Sequence, residues 1–132
     1  MNPGADAAID WGDIGQVAMR ARDIDRAVAF YRDVLGMPFL FQAPPGLAFF
    51  RCGQVTLMLS LPEASEHDHP GSVLYFRMPD IEAAFRRLSE RGVAFSGPPH
   101  AVHREPGREL RMAFFTDTEG NTLALMAWVP TG

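Results

Sequence analysis

The hydrophobic and polar positions of the first half predict one strand, one helix and three more strands. Alternation begins near Ile14 and puts Val17 and Met19 on the same side of an extended segment. Apolar residues then recur at three- and four-residue spacing, as on the buried face of a helix that Asp23 caps and Gly36 ends. These apolar residues are Ile24, Ala27, Val28, Tyr31 and Leu35. The three following strands are predicted at residues 37–42, 47–52 and 55–61.

The same order of elements returns after residue 72. Asp80 caps and Gly92 ends a second helix, which follows a strand predicted at 72–78. The apolar stripe of this helix consists of Ile81, Ala84, Phe85 and Leu88. Further strands are predicted at 93–95, 109–116 and 121–128, with a long charged loop at 100–108. The sequence therefore predicts an internal repeat of two βαβββ units, at about 14–61 and 72–128.

Two segments fall outside these units. Residues 1–13 have no hydrophobic period and are predicted to be a tail, which leaves residues 14–132 as one domain. Residues 62–71 are polar, acidic and rich in helix breakers, and are predicted to be the linker. Because one helix covers only one face of a sheet, the free faces are expected to meet each other, a partner chain or a ligand.

Composition narrows the classes of partner. The formal net charge of −4 disfavours nucleic acid, because phosphate binding requires a basic surface. No segment approaches the roughly 18 apolar residues of a membrane span, so no membrane partner is expected. The single cysteine, Cys52, excludes a disulfide within the chain and favours a cytoplasmic location. We interpret Cys52 as a small hydrophobic residue, because no neighbouring base indicates a catalytic thiol.

Two segments also indicate a family. They are DIDRAVAFYRDVLGMPF and FFTDTEGNTLALM, and the second is similar to F-x-D-P-D-G-N-x-x-x-L with Thr118 and Glu119 replacing Pro and Asp. Over residues 14–128 the chain resembles the vicinal oxygen chelate superfamily, which includes glyoxalase I, extradiol dioxygenases and bleomycin-resistance proteins. The resemblance implies an α+β fold in which two βαβββ units form a curved mixed sheet around a cleft, with the helices on the outer face. It also implies a homodimer.

The resemblance further implies four positions for metal ligands, which here are Gln16, Met58, Val73 and Ala124. Only Gln16 offers an oxygen or nitrogen atom, and one neutral amide does not hold a divalent cation against water. The chemistry shared by the family needs such an ion as a Lewis acid. We therefore expect no metal cofactor, with Gln16 as a weak residual ligand at most. What remains resembles the metal-free members of bleomycin-resistance type, which bind and sequester an organic compound.

The expected ligand site is a mostly apolar cleft with a few polar side chains, as is usual for small molecules. Its predicted residues are Gln16, Met58, Val73, Tyr75, Arg77, Arg111 and Ala124. The two arginines favour an anionic or aromatic ligand over bleomycin, which is large and cationic.

An enzyme of glyoxalase type remains the alternative. If the loop at 100–108 folds over the cleft, then His100, His103 and Glu109 supply an acid–base pair or join Gln16 as ligands of Ni, Zn, Fe or Mn. The protein would then be a metal-dependent lyase or dioxygenase. The simpler interpretation is that the arginines and glutamates of this region form a solvated salt-bridge network. His67 and His69 in the linker are interpreted as solvated surface residues.

Overall fold

A computed structural model describes residue 9 and residues 11–62 and 71–132. The strands are β1 (Gln16–Arg20), β2 (Phe39–Ala43), β3 (Leu47–Cys52), β4 (Val55–Ser60), β5 (Leu74–Arg77), β6 (His100–Glu105), β7 (Arg108–Thr116) and β8 (Thr122–Pro130). The helices are α1 (Ile24–Val28), which continues as a π-helical segment (Ala29–Val34), and α2 (Ile81–Glu90). Most of the predicted tail and linker, with His67 and His69, lies outside the described residues.

The strands form two four-stranded sheets with the same internal order. The first sheet runs β1-β4-β3-β2 and the second runs β5-β8-β7-β6. The pairs β1–β4 and β5–β8 are parallel, and the remaining neighbouring pairs are antiparallel. The registers also correspond, because Ala18 lies opposite Met58 and Tyr75 lies opposite Ala124. The α+β fold and the two βαβββ units are thereby confirmed.

Both helices begin and end at the residues that the sequence predicts. Asp23 Oδ1 accepts a hydrogen bond from the Arg26 backbone N–H at 3.1 Å, and Asp80 Oδ1 accepts one from the Ala83 N–H at 3.0 Å. Gly36 follows the first helix with a φ of 72°, a conformation that glycine adopts without steric cost. No described helix is long and apolar enough to cross a membrane.

Each helix packs on one face of its own sheet, and the two cores join into one cluster. Phe50 and Phe115 are 0% and 2% exposed and lie within this cluster. Their chain neighbours Phe49 and Phe114 are half-buried on the opposite faces, which carry no helix. Strands β3 and β7 therefore each place one ring on the helix-covered face and one on the opposite face.

Two predicted segments were wrong. Residues 100–105 form the edge strand β6, paired with β7, although the sequence predicts a loop there. Residues 93–95 form only an isolated bridge, between Phe95 and Phe115, because the chain turns away before a ladder is made.

The first helix also widens, since the Leu35 N–H donates to the Phe30 carbonyl five residues back. This wider turn buries Phe30, which the predicted stripe does not contain.

Candidate functional site

The open face of the first sheet, meaning the side that carries no helix, combines the polar side chain of Gln16 with an aromatic surface. Gln16 and Met58 are neighbours there, with the Gln16 Nε2 3.9 Å from the Met58 sulfur. Phe49 lies opposite Met58 on the adjacent strand, and Phe41 lies opposite Phe49. The two phenylalanine rings stack with their centroids 4.4 Å apart. Because 53% of Phe41 is exposed, this face presents a flat apolar surface to solvent or to a ligand.

The open face of the second sheet has a similar character. Tyr75 lies opposite Ala124, and the Tyr75 and Phe114 rings meet edge to face with centroids 6.1 Å apart. Arg77 lies opposite Met126 on the same face. Val73 precedes β5 and is exposed, and strand alternation puts it on the side of Tyr75. Three of the seven predicted site residues are thus exposed on this face: Val73, Tyr75 and Arg77. A fourth, Ala124, points to the same face but is 0% exposed.

Arg111 is placed elsewhere. It lies opposite Ala127 on the helix-covered face of the second sheet, because it alternates with the buried residues of β7. Its guanidinium donates to Glu109 Oε1 and to the Pro99 carbonyl, both at 2.8 Å, and lies 3.4 Å from Glu82 on α2. The structure therefore separates Arg111 from Arg77, which differs from the predicted placement.

The three residues of the predicted acid–base set are also held by other partners. His100 Nδ1 is 3.2 Å from the Pro98 carbonyl, and His103 Nε2 is 3.6 Å from Glu105. Hydrogen bonds from Arg111 and then from Arg104 lower the pKa of Glu109, which is therefore an ion-pair partner at neutral pH. Since β6 pairs with β7, its histidines belong to a sheet edge and not to a loop closing over the site.

The donor set does not fit a catalytic divalent metal ion. Of the four positions that the family resemblance implies, Gln16 contributes an amide, Met58 a soft thioether, and Val73 and Ala124 no donor atom. Within residues 11–62 and 71–132, no three His, Cys, Asp or Glu side chains come close enough together to hold an ion.

A buried polar cluster, which the sequence predicted only as a turn, joins the two units. Glu119 in the β7–β8 turn is 1% exposed and accepts hydrogen bonds from the Arg22 and Asp23 backbone N–H groups at 2.7 and 2.8 Å. Its other oxygen accepts from Arg26 Nε at 2.8 Å. The carboxylate thus holds the start of α1, where a negative charge is favoured.

Burial by itself raises the pKa of Glu119, but the hydrogen bonds that its carboxylate accepts lower the pKa by more. Hydrogen bonds from Arg26, from the backbone N–H groups of Asp23 and Arg22 and from the Thr118 hydroxyl bring the pKa down from 4.5 to about 2. Beside it, the Tyr31 hydroxyl donates to Asp117 at 2.6 Å. The sequence signal for this cluster is the run of two acids and an amide, DTEGN, between two buried strands.

Comparison with known proteins decides the family. Residues 13–125 match the Glyoxalase/Bleomycin resistance protein/Dioxygenase superfamily. The chain belongs to this superfamily. A glyoxylase-like domain-containing protein from Didymella fabae is 29% identical, with 86% of this chain and 92% of that protein aligned.

Of two solved structures with a similar fold, one is an enzyme and the other is a binding protein. Lactoylglutathione lyase from Agrobacterium tumefaciens is 26% identical with a TM-score of 0.70, over 87% of this chain and 92% of that one. TnmS3, an antibiotic binding protein from Streptomyces sp. CB03234, is 26% identical with a TM-score of 0.71, over 94% and 100% of the two chains.

Proposed function

We propose that this superfamily member is a metal-free small-molecule-binding protein that sequesters an organic compound on the open sheet faces. The supporting observation is the chemistry of the four positions at which the family resemblance implies metal ligands. They hold Gln16, Met58, Val73 and Ala124, beside the rings of Phe49, Tyr75 and Phe114. Such a surface binds an apolar or aromatic body and fixes its orientation through one amide.

The similarity to an antibiotic binding protein supports the same proposal. Met58 suits a planar or irregular ligand, because a thioether side chain is flexible and polarizable. Arg77 on the second open face favours an aromatic or anionic compound. We include a cytoplasmic location and a homodimer in the proposal, with neither nucleic acid nor a membrane as partner.

The enzyme alternative is favoured by the similarity to lactoylglutathione lyase. It needs Gln16, His100, His103 and Glu109 to act together on Ni, Zn, Fe or Mn. Glu109 is engaged by Arg104 and Arg111, and His103 by Glu105. This alternative therefore requires β6 to rearrange before a ligand set exists.

Thermal-shift screening with a panel of aromatic compounds, in buffer containing EDTA, tests the proposal. Compounds that bind the native state raise the Tm with a dose dependence set by mass action. Met58→Glu puts a charge on the open face and should abolish these shifts. Gln54→Glu adds the same charge in the exposed β3–β4 turn and should retain them. A panel without hits, or equal shifts in both variants, would contradict the proposal.

A further inference from the structure

A groove of about 580 Å³ opens between the two units, beside the edge strand β5. Its walls come from the end of the first helix and the β3–β4 turn on one side, and from β5, α2 and the second sheet on the other. The first unit contributes Leu35, Met37, Pro38, Arg51, Cys52 and Gly53. Of the open-face residues described above, only Tyr75 and Arg77 also line this groove. Its size is that of a small-molecule pocket.

The charges in this groove have one sign. Arg51 and Arg77 line it, and none of its described lining residues is Asp or Glu. Both arginines are exposed, and neither side chain forms an ion pair or hydrogen bond with any residue of the described chain. This contrasts with Arg26, Arg104 and Arg111, each of which contacts a carboxylate. The groove therefore presents two uncompensated positive charges.

The remaining lining is apolar and adaptable. Met37 and Met78 lie in it with Phe76, and Leu88 of α2 contributes another aliphatic surface. Burial raises the pKa of the Cys52 thiol, so this residue stays neutral and adds no negative charge near Arg51. The groove thus presents an apolar wall and a cationic rim to a ligand.

We propose that the groove between the units binds an organic anion, a carboxylate or sulfonate on an aromatic or aliphatic body. The body contacts Met37, Phe76 and Leu88, and the anionic group pairs with the guanidinium groups of Arg51 and Arg77. This site shares Tyr75 and Arg77 with the open face of the second sheet. Arg51 comes from the first unit, so its loss distinguishes the groove from that open face.

Fluorescence titration with 8-anilinonaphthalene-1-sulfonate tests this proposal, with N-phenyl-1-naphthylamine as its uncharged counterpart. We expect the sulfonate to bind more tightly than the amine. In the double variant Arg51→Gln, Arg77→Gln the sulfonate affinity should fall on the order of tenfold, and the amine affinity should not change. Arg86→Gln, Arg87→Gln removes the same charge from the exposed side of α2 and should leave both affinities intact.

Two outcomes would overturn the proposal. One is an equal loss of sulfonate affinity in the two double variants, which would show a general charge effect. The other is loss of sulfonate binding in Met58→Glu, which would place the probe on the open face of the first sheet. Retained sulfonate binding in Met58→Glu, with loss in the single variant Arg51→Gln as well as in the double variant, supports the groove whatever the thermal-shift panel shows, because Arg77 also lies on the second open face.

Discussion

At the scale of single residues, the structure depends on a few buried polar groups that join the two units. Glu119 holds the backbone at the start of α1, and Asp117 accepts the Tyr31 hydroxyl. Asn121 donates through its amide to the Arg20 carbonyl at 2.8 Å. Removing one member of such a cluster leaves its buried partners without a hydrogen bond, which costs more than the lost bond itself.

Glu119→Gln should lower the free energy of unfolding by roughly 2–4 kcal/mol, because the amide cannot accept all the donors that the carboxylate satisfies. Urea denaturation of the variant against the native protein measures this difference. Glu90→Gln, at the exposed end of α2, is the matched control and should change stability by less than about 0.5 kcal/mol. Equal effects of the two substitutions would show that Glu119 does not hold the units together.

The pH dependence of stability should follow the same carboxylate. The folded pKa of Glu119 is about 2, below its ordinary value of 4.5, so the unfolded chain binds the proton more readily. Its stabilising contribution is therefore complete above pH 4.5 and is lost as the pH falls toward 2. Urea denaturation between pH 6 and pH 3 should show the gap between native protein and Glu119→Gln narrowing on acidification. A constant gap would contradict the lowered pKa.

Tyr31→Phe should destabilise the protein by about 1–2 kcal/mol, because Asp117 loses a buried donor. The same substitution at Tyr75, which is 48% exposed, is the control and should have little effect on stability. Thermal denaturation of both variants compares the two hydroxyl groups directly. A Tyr75→Phe loss as large as that at Tyr31 would refute the assigned role of the Tyr31 hydroxyl.

At the scale of elements, the sequence predicted every element whose residues carry a clear period. Asp23, Asp80 and Gly36 marked helix ends through local chemistry, and β3 lies at its predicted residues. Strand β6 was missed because its residues, HAVHRE, do not alternate and are extended by pairing with β7. The same limit applies to the site: alternation places Tyr75 and Arg77 on the open face, whereas Arg111 lies on the helix-covered face with Ala113 and Phe115.

Asp80→Ala should destabilise α2, with a loss of about 1 kcal/mol, because the Ala83 N–H loses its cap. Asp80→Asn retains an acceptor of the same geometry and should restore most of that loss. Chemical denaturation of the two variants distinguishes the cap from a general effect of charge. Equal losses in both variants would point to charge instead.

At the scale of the whole molecule, the repeat explains why so much apolar surface remains open. Each unit uses one helix to cover one sheet face, and Phe41, Tyr75 and Trp128 stay 53%, 48% and 37% exposed. Single exposed apolar residues are common, but an extended patch indicates a binding surface. We propose that a ligand and a second copy of the chain together cover both open faces.

The homodimer in our proposal predicts a mass in solution of twice 14.6 kDa, measured by light scattering after size-exclusion chromatography. Phe41→Arg should shift this equilibrium toward the monomer, because a buried unpaired charge disfavours association. Gln54→Arg introduces the same residue in an exposed turn and should leave the dimer intact. A monomeric native protein would contradict this part of the account.

We propose that this member of the superfamily binds its ligand without a metal ion. Elemental analysis by inductively coupled plasma mass spectrometry, on untagged protein purified without chelator, tests it most directly. We predict that Ni, Zn, Fe and Mn are each present well below one ion per chain, because Gln16, Met58, Val73 and Ala124 do not form a ligand set. One equivalent of any of these metals, lost together with ligand binding on Gln16→Ala, would contradict the account and favour the enzyme.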